Sequence, residues 1–191
     1  VGSAIQHSGY DITNKIGPAP SELIRIFPDD RWDLIVGQPR NTPHGMKRPL
    51  SSLYAGFGNF FNGYFWCMEV HNNWLYMGTC NGSVILSWRS LESFPGRQRR
   101  YAEQVGIDNI VKNQSGFELW RSSDGENWLP VDRLGFSNPY NVGVRNMTST
   151  PYGLFIGTAN LFGPRVAVKQ NGAWVYQDNP RGGLEVWLGK T

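Results

Sequence analysis

A chain of 191 residues is long enough to bury one ordinary hydrophobic core and too short for several large domains. Aromatic residues make up 14% of it and glycine contributes 23 positions, spread among many short apolar runs, which points to an all-β protein. The formal charge is only +3, with Arg97, Arg99 and Arg100 the single basic cluster, and no apolar run approaches the length of a membrane span; neither a nucleic-acid footprint nor a membrane-spanning helix is expected in this segment.

In chain order, the first expected strands are Glu22–Ile26 and Trp32–Val36, joined by a tight acidic turn. A long connection, Gly37–Gly63, leads to Tyr64–His71 and Trp74–Thr79, where Asn72-Asn73 suits a type I′ hairpin turn. Asn81–Ser115 is a long insertion whose Ser90–Val111 tract is polar and helix-compatible. Glu118–Arg121 and Trp128–Val131 follow, around the turn Ser122–Asn127. Val144–Ser149 and Leu154–Thr158 flank Pro151-Tyr152-Gly153, read as a type I turn with Gly153 left-handed. Glu185–Leu188 is the last strand.

These strands are copies of one another. Gly56–Asn81 returns as Gly135–Asn160 at an offset of 79, without gaps and with nine of 26 positions identical. Ser21–Val36 matches Phe117–Val131 at an offset of 96, keeping Glu22/Glu118, Leu23/Leu119, Arg25/Arg121 and Trp32/Trp128. With the four strand types named A to D, the order is C-D (22–36), A-B-C-D (64–131, with insertion 81–115), then A-B-C (144–188). Four antiparallel strands per unit is the blade of a β-propeller, so the expectation is one partial propeller domain, 1–191, of about two and a quarter blades. Closed propellers have about four to eight blades. The remaining blades are therefore expected elsewhere in a larger protein, and the isolated segment is expected to self-associate through open edges.

The A–B and C–D turns are tight, whereas the D–A and B–C connections are long and emerge on one face. Long, aromatic-bearing loops gathered on one face predict a binding or catalytic surface there. At the start of strand A the copies differ, and there the candidates lie. Tyr64 (Gly143 in the second copy) is a hydrogen-bond donor or a packing tyrosine. Glu69 is a general base or the partner of an arginine. Arg145, opposite Trp66, holds an anion or forms that same ion pair. Asn59/Asn138 and Asn62/Asn141 are read as holding loop backbone. Ser122-Ser123-Asp124-Gly125-Glu126-Asn127-Trp128 resembles, one residue short, the Asp-box turn of sialidase-like propellers, and its structural reading outweighs a catalytic one.

His7, His44 and His71 show no metal spacing, and no cofactor is expected in this segment. In the hairpin register Cys67 and Cys80 are diagonal neighbours, about 7–8 Å apart. That is too far for a relaxed disulfide, so both are expected reduced, which favours a cytoplasmic setting.

The runs YDITNKIGPAPSELIRIFPDDRWDLIVGQPR, GFGNFFNGYFWCMEVHNNWLYMGT, NPYNVGVRNMTSTPYGLFIGTANLFGP and GGLEVWLG together resemble the propeller portion of the cyanobacterial alkylating enzymes of cylindrocyclophane and bartoloside biosynthesis. The resemblance implies a calcium-binding N-terminal domain outside this segment. It also implies displacement of a secondary alkyl chloride by a resorcinol carbon or a carboxylate oxygen. Such chemistry needs donors for the chloride (Tyr64, Arg145), a base (Asp11 or Glu69) and an apolar groove (Phe60, Phe61, Trp66, Tyr140). Two other readings stand beside it: a non-catalytic propeller that binds a glycan or protein, and a sialidase-like glycosidase.

Overall fold

The computed structural model describes residues 1–2, 19–94 and 96–190, with the Lys169 side chain excepted. The chain is mostly β. All nine expected strands form: Leu23–Ile26 (β1), Trp32–Val36 (β2), Asn62–His71 (β5), Trp74–Asn81 (β6), Leu119–Ser122 (β7), Leu129–Asp132 (β8), Asn141–Thr150 (β9), Gly153–Asn160 (β10) and Val186–Gly189 (β13). Two further hairpins lie inside the long connections, Arg40–Thr42 (β3) with Gly45–Lys47 (β4) and Arg165–Gln170 (β11) with Ala173–Asp178 (β12). The insertion after β6 carries two helices, Gly96–Val105 and Ile107–Gln114. No helix among the described residues is long and apolar enough to cross a membrane.

Among the described residues every pairing is antiparallel, and within each unit consecutive strands pair. β5 pairs β6, β6 pairs β7 and β7 pairs β8; β9 pairs β10, and β10 pairs β13. One bridge, Cys80 to Gly143, joins the two units into a seven-stranded sheet, while β1 and β2 form a separate pair. The β5–β6 register is the one the turn demands: His71 faces Trp74 and Cys67 faces Gly78, with Asn72 and Asn73 both left-handed at φ 47° and 62°. The second hairpin corrects an expectation. Thr150 pairs directly with Gly153, which sits at φ 133° inside β10, outside the left-handed helical region. A side chain at Gly153 would strike the Gly189 carbonyl, so close passage of β13 is a second reason for glycine.

Both first strands carry the same two irregularities. In β5 the ladder slips at Gly63 and again at Trp66; in β9 it slips at Val142 and at Arg145, the positions 79 residues on. A bulge re-aims the extra side chain out of the alternation. The bulged residues of the two units therefore meet, as described below. The bulge also ends the simple diagonal relation of the cysteines, since Cys80 pairs with Tyr64; both thiols are free.

The core lies in seams between successive units. In the first seam, Leu23, Ile35 and Val36 of β1 and β2 pack on Phe57, Phe65, Met77, Trp120 and Trp128. In the second, Tyr76, Phe117 and Leu119 pack on Val144, Met147, Leu154 and Ile156 of β9 and β10. Each buried side chain of this size contributes roughly 1.5–3 kcal/mol of burial, so the seams hold the units together. A third cluster sits under the insertion, where Phe61 meets Leu86, Ala102 and Ile110.

Candidate functional site

The residues identical between the two copies form a buried polar frame. Asn62 Nδ2 donates to the Gly56 carbonyl at 2.9 Å, and its Oδ1 accepts from Thr79 Oγ1 (3.2 Å) and Asn81 Nδ2 (3.1 Å). Asn141 repeats this on Gly135, Thr158 and Asn160 at 2.9, 3.2 and 3.3 Å. The frame holds a tight left-handed step at Gly56-Phe57 and again at Gly135-Phe136, with φ between 56° and 65°. A left-handed phenylalanine is costly, and it persists because its ring is fixed. Phe57 stacks on Trp120 at 4.4 Å, and Phe136 lies 4.6 Å from Trp187.

A glutamate closes each frame. Glu118, 1% exposed, accepts from Asn59 Nδ2 at 3.0 Å and Trp120 Nε1 at 2.8 Å, with Arg133 at 3.4 Å. Glu185 accepts from Asn138 (2.9 Å), Asn141 (2.8 Å) and Trp187 (2.9 Å), and Arg181 grips both its oxygens at 2.9 and 3.0 Å. Burial alone pushes the Glu185 carboxyl up; the bonds from Arg181, Asn141, Asn138 and Trp187 outweigh it and bring its pKa down to about 2. A lowered folded value means that the carboxylate stabilises the fold above its unfolded pKa of about 4.3 and ceases to do so as pH falls through about 2. The difference in Tm between wild type and Glu185→Gln is therefore expected to be full at pH 6 and to close on acidification across that window. A difference unchanged down to pH 2 would contradict the assignment. The asparagines are thus backbone holders, as their sequence suggested.

The turn after β7 is also self-satisfied. Asp124 Oδ1 accepts from the Glu126 and Asn127 amides at 2.8 and 2.7 Å, Oδ2 from Asn127 Nδ2 at 2.7 Å, and Gly125 is left-handed at φ 78°. These bonds, the Asn127 side chain first, hold the Asp124 carboxyl far below the usual range. Trp128 is 7% exposed in the first seam. Asp124 is thus engaged in the turn's own geometry, while Glu126 reaches out of the turn to Arg25 at 2.7 Å.

The positions that differ between copies gather at the start of β5 and β9. The Trp66 indole lies over the Cα of Gly143, where an added Cβ would come within 2.4 Å of the ring. That contact is the reason Tyr64 has a glycine as its counterpart. Arg145 is exposed and holds its guanidinium 5.0 Å from the Trp66 ring centre, a cation–π contact. Tyr64 is half-buried, its ring 6.3 Å from that of Trp66. Tyr64, Trp66 and Arg145 are thus brought together. Glu69 is half-buried, opposite Tyr76, and makes no ion pair among the described residues. Asp11 lies outside the described residues.

The loop aromatics have a different placement. Phe61, 5% exposed, packs under the helical insertion, and Phe60 stacks on Phe61 at 4.1 Å and meets Tyr101 edge-on at 4.8 Å. Tyr140, the counterpart of Phe61, stacks on Trp88 at 5.7 Å and lies 5.1 Å from Phe162. Burial raises its phenol pKa. These rings fasten the insertions to the sheet.

An open groove of ≈ 350 Å³ lies between the insertion and the second D–A loop, lined among others by Ser87, Asp108, Lys112, Leu134 and Ser137. None of these residues stood out in the sequence. They come from three separated segments, and no local spacing marks them. Burial pushes the Cys67 thiol up and takes Cys80 to about 12, which disfavours the thiolate at both. Among the described residues no group of three His, Cys, Asp or Glu side chains is placed to hold a metal ion.

No family model matches the chain, no curated protein matches it, and no solved structure matches it.

Proposed function

We propose that the units are blades of a β-propeller and that the Tyr64–Trp66–Arg145 end takes the leaving group of an alkyl chloride, as in the alkylating enzymes the sequence resembles. The propeller reading is supported by the order β5-β6-β7-β8, repeated as β9-β10-β13, with a hydrophobic seam between units. The chemical reading is carried by one observation: beside two matching bulges, an exposed guanidinium lies 5.0 Å and a phenol ring 6.3 Å from one indole. In the reaction the C–Cl bond breaks and chloride departs with the electron pair toward the Arg145 and Tyr64 donors. A resorcinol carbon or a carboxylate oxygen forms the new bond to carbon. In the first case the ring proton passes to a carboxylate, Glu69 or Asp11. Trp66 supplies apolar surface. A calcium-binding domain elsewhere in the protein, implied by the resemblance, enters no step here.

With an alkyl chloride and a resorcinol as substrates, Tyr64→Phe is expected to abolish alkylation and Arg145→Gln to slow it at least about a hundredfold, both with unchanged Tm. Full turnover by Tyr64→Phe would remove that residue from the mechanism. The open groove beside Lys112 favours a second reading, a binding module for a glycan or protein. That reading expects no turnover from wild type and saturable binding weakened by Trp66→Ala. The glycosidase reading lacks support, since Asp124 is engaged within its own turn.

A further inference from the structure

The groove between the helical insertion and the second D–A loop has two fixed walls. One is the helix Ile107–Gln114. Its Ile110 is wholly buried in the cluster with Phe61, Leu86 and Ala102, and the Gln114 carbonyl accepts from Asn81 Nδ2 at 2.9 Å. The other is the loop before β9, where the Arg181 guanidinium donates to the Phe136 and Ser137 carbonyls at 3.1 and 2.9 Å. Walls held in this way lose little freedom when a ligand binds. The volume of ≈ 350 Å³ lies at the small end of ligand pockets, roughly 300–1,000 Å³, and suits a single small molecule.

Two opposite charges line the groove from one helix, Asp108 in its first turn and Lys112 in its last. Acid before base at a spacing of four is the favoured order for a helical ion pair, with Cβ atoms about 5–6 Å apart. Yet neither residue makes an ion pair among the described residues. Each suits its end of the helix dipole, which accounts for their presence and not for their separation. Ser87 and Ser137 add hydroxyls that bond to no described residue, and Val111 and Leu134 add apolar surface. A carboxylate, an ammonium and two hydroxyls thus border an apolar strip.

We infer that this groove binds a free α-amino acid with an aliphatic side chain. The ligand's ammonium meets Asp108, its carboxylate meets Lys112, and its side chain lies on Val111 and Leu134. The hydroxyls of Ser87 and Ser137 complete the polar contacts. An uncharged sugar would leave both charges unmet, and an ion of one sign would meet one charge and be repelled by the other. A zwitterion satisfies the two together. The inference takes from the second reading only that the groove is a binding site, and nothing from the chemistry at Tyr64.

The test is calorimetric titration of the full chain with L-leucine, which is expected to bind saturably with a Kd on the order of 1 mM or tighter. N-acetyl-L-leucine lacks the ammonium and L-leucinamide lacks the carboxylate; each is expected to bind at least about tenfold more weakly. Asp108→Asn and Lys112→Met are each expected to weaken L-leucine binding by a similar factor. Both side chains are exposed, so Tm stays within about 1 °C of wild type. No saturable binding, or equal binding of the three compounds, overturns the inference. So does L-leucine binding that survives both substitutions, which would place the site elsewhere. Glycan binding that Trp66→Ala weakens, without L-leucine binding, overturns this inference and leaves the second reading standing.

Discussion

Glu118→Ala is expected to cost about 3–5 kcal/mol of folding stability, read as a lower urea midpoint by tryptophan fluorescence. Glu118 is the acceptor on which the first frame converges, and the substitution removes both oxygens at once. The indole N–H of Trp120 loses its acceptor, and Asn59 Nδ2 keeps only a 3.5 Å contact to the Gln114 carbonyl. Each stranded buried donor costs about 1–3 kcal/mol, and the vacated volume adds a cavity contribution. The Arg133 pair contributes little, because that side chain is 54% exposed and its contact is 3.4 Å. Glu118→Gln keeps the shape and one acceptor oxygen, so it should recover part of the loss. A cost below about 1 kcal/mol for the alanine variant would mean that the frame is held by other contacts.

Gly78→Ala is expected to be comparably damaging, by about 3 kcal/mol, through overpacking instead of loss. The new methyl would lie within 2.3–2.8 Å of Val144 Cβ and both its γ-carbons. Val144 is wholly buried, so the strands must separate. Gly157→Ala has the same chemistry in the matching position and an ordinary 3.9 Å contact; it should stay within about 0.5 kcal/mol of wild type. Thermal melts of the two variants compare one substitution with and without a neighbour. Equal effects would show that backbone entropy, not the seam, governs both positions.

The strands were legible in the sequence because each alternates and because the repeat supplies a second copy of nearly every segment. The hairpin register followed from Asn72-Asn73 alone. The hairpins β3–β4 and β11–β12 were not legible. Arg40–Thr42 and Gly45–Lys47 are too short and polar to show alternation, and β12 is exposed along its whole length, so neither face had to be apolar. The bulges at Trp66 and Arg145 were equally invisible, since a one-residue slip exists only relative to the partner strand. Comparison of the copies nonetheless singled out both residues, and the structure brings them into contact. Loop aromatics were a weaker guide: Phe60, Phe61 and Tyr140 are apolar for the sake of the insertions above them, and composition does not say which way a ring will turn.

The asparagine at the end of each second strand also carries a consequence for how such a chain diversifies. Asn81 Nδ2 donates to the Gln114 carbonyl at 2.9 Å, and Asn160 Nδ2 to the Arg181 carbonyl at 3.1 Å. In each unit the accepting residue stands four positions before the closing glutamate, whether the loop between holds two helices or a hairpin. One clasp therefore fastens excursions of different length and architecture. The entropic cost of closing a longer loop grows only logarithmically. Such a clasp makes the excursions interchangeable cassettes: one could be transplanted into the other's place without re-engineering the sheet beneath it.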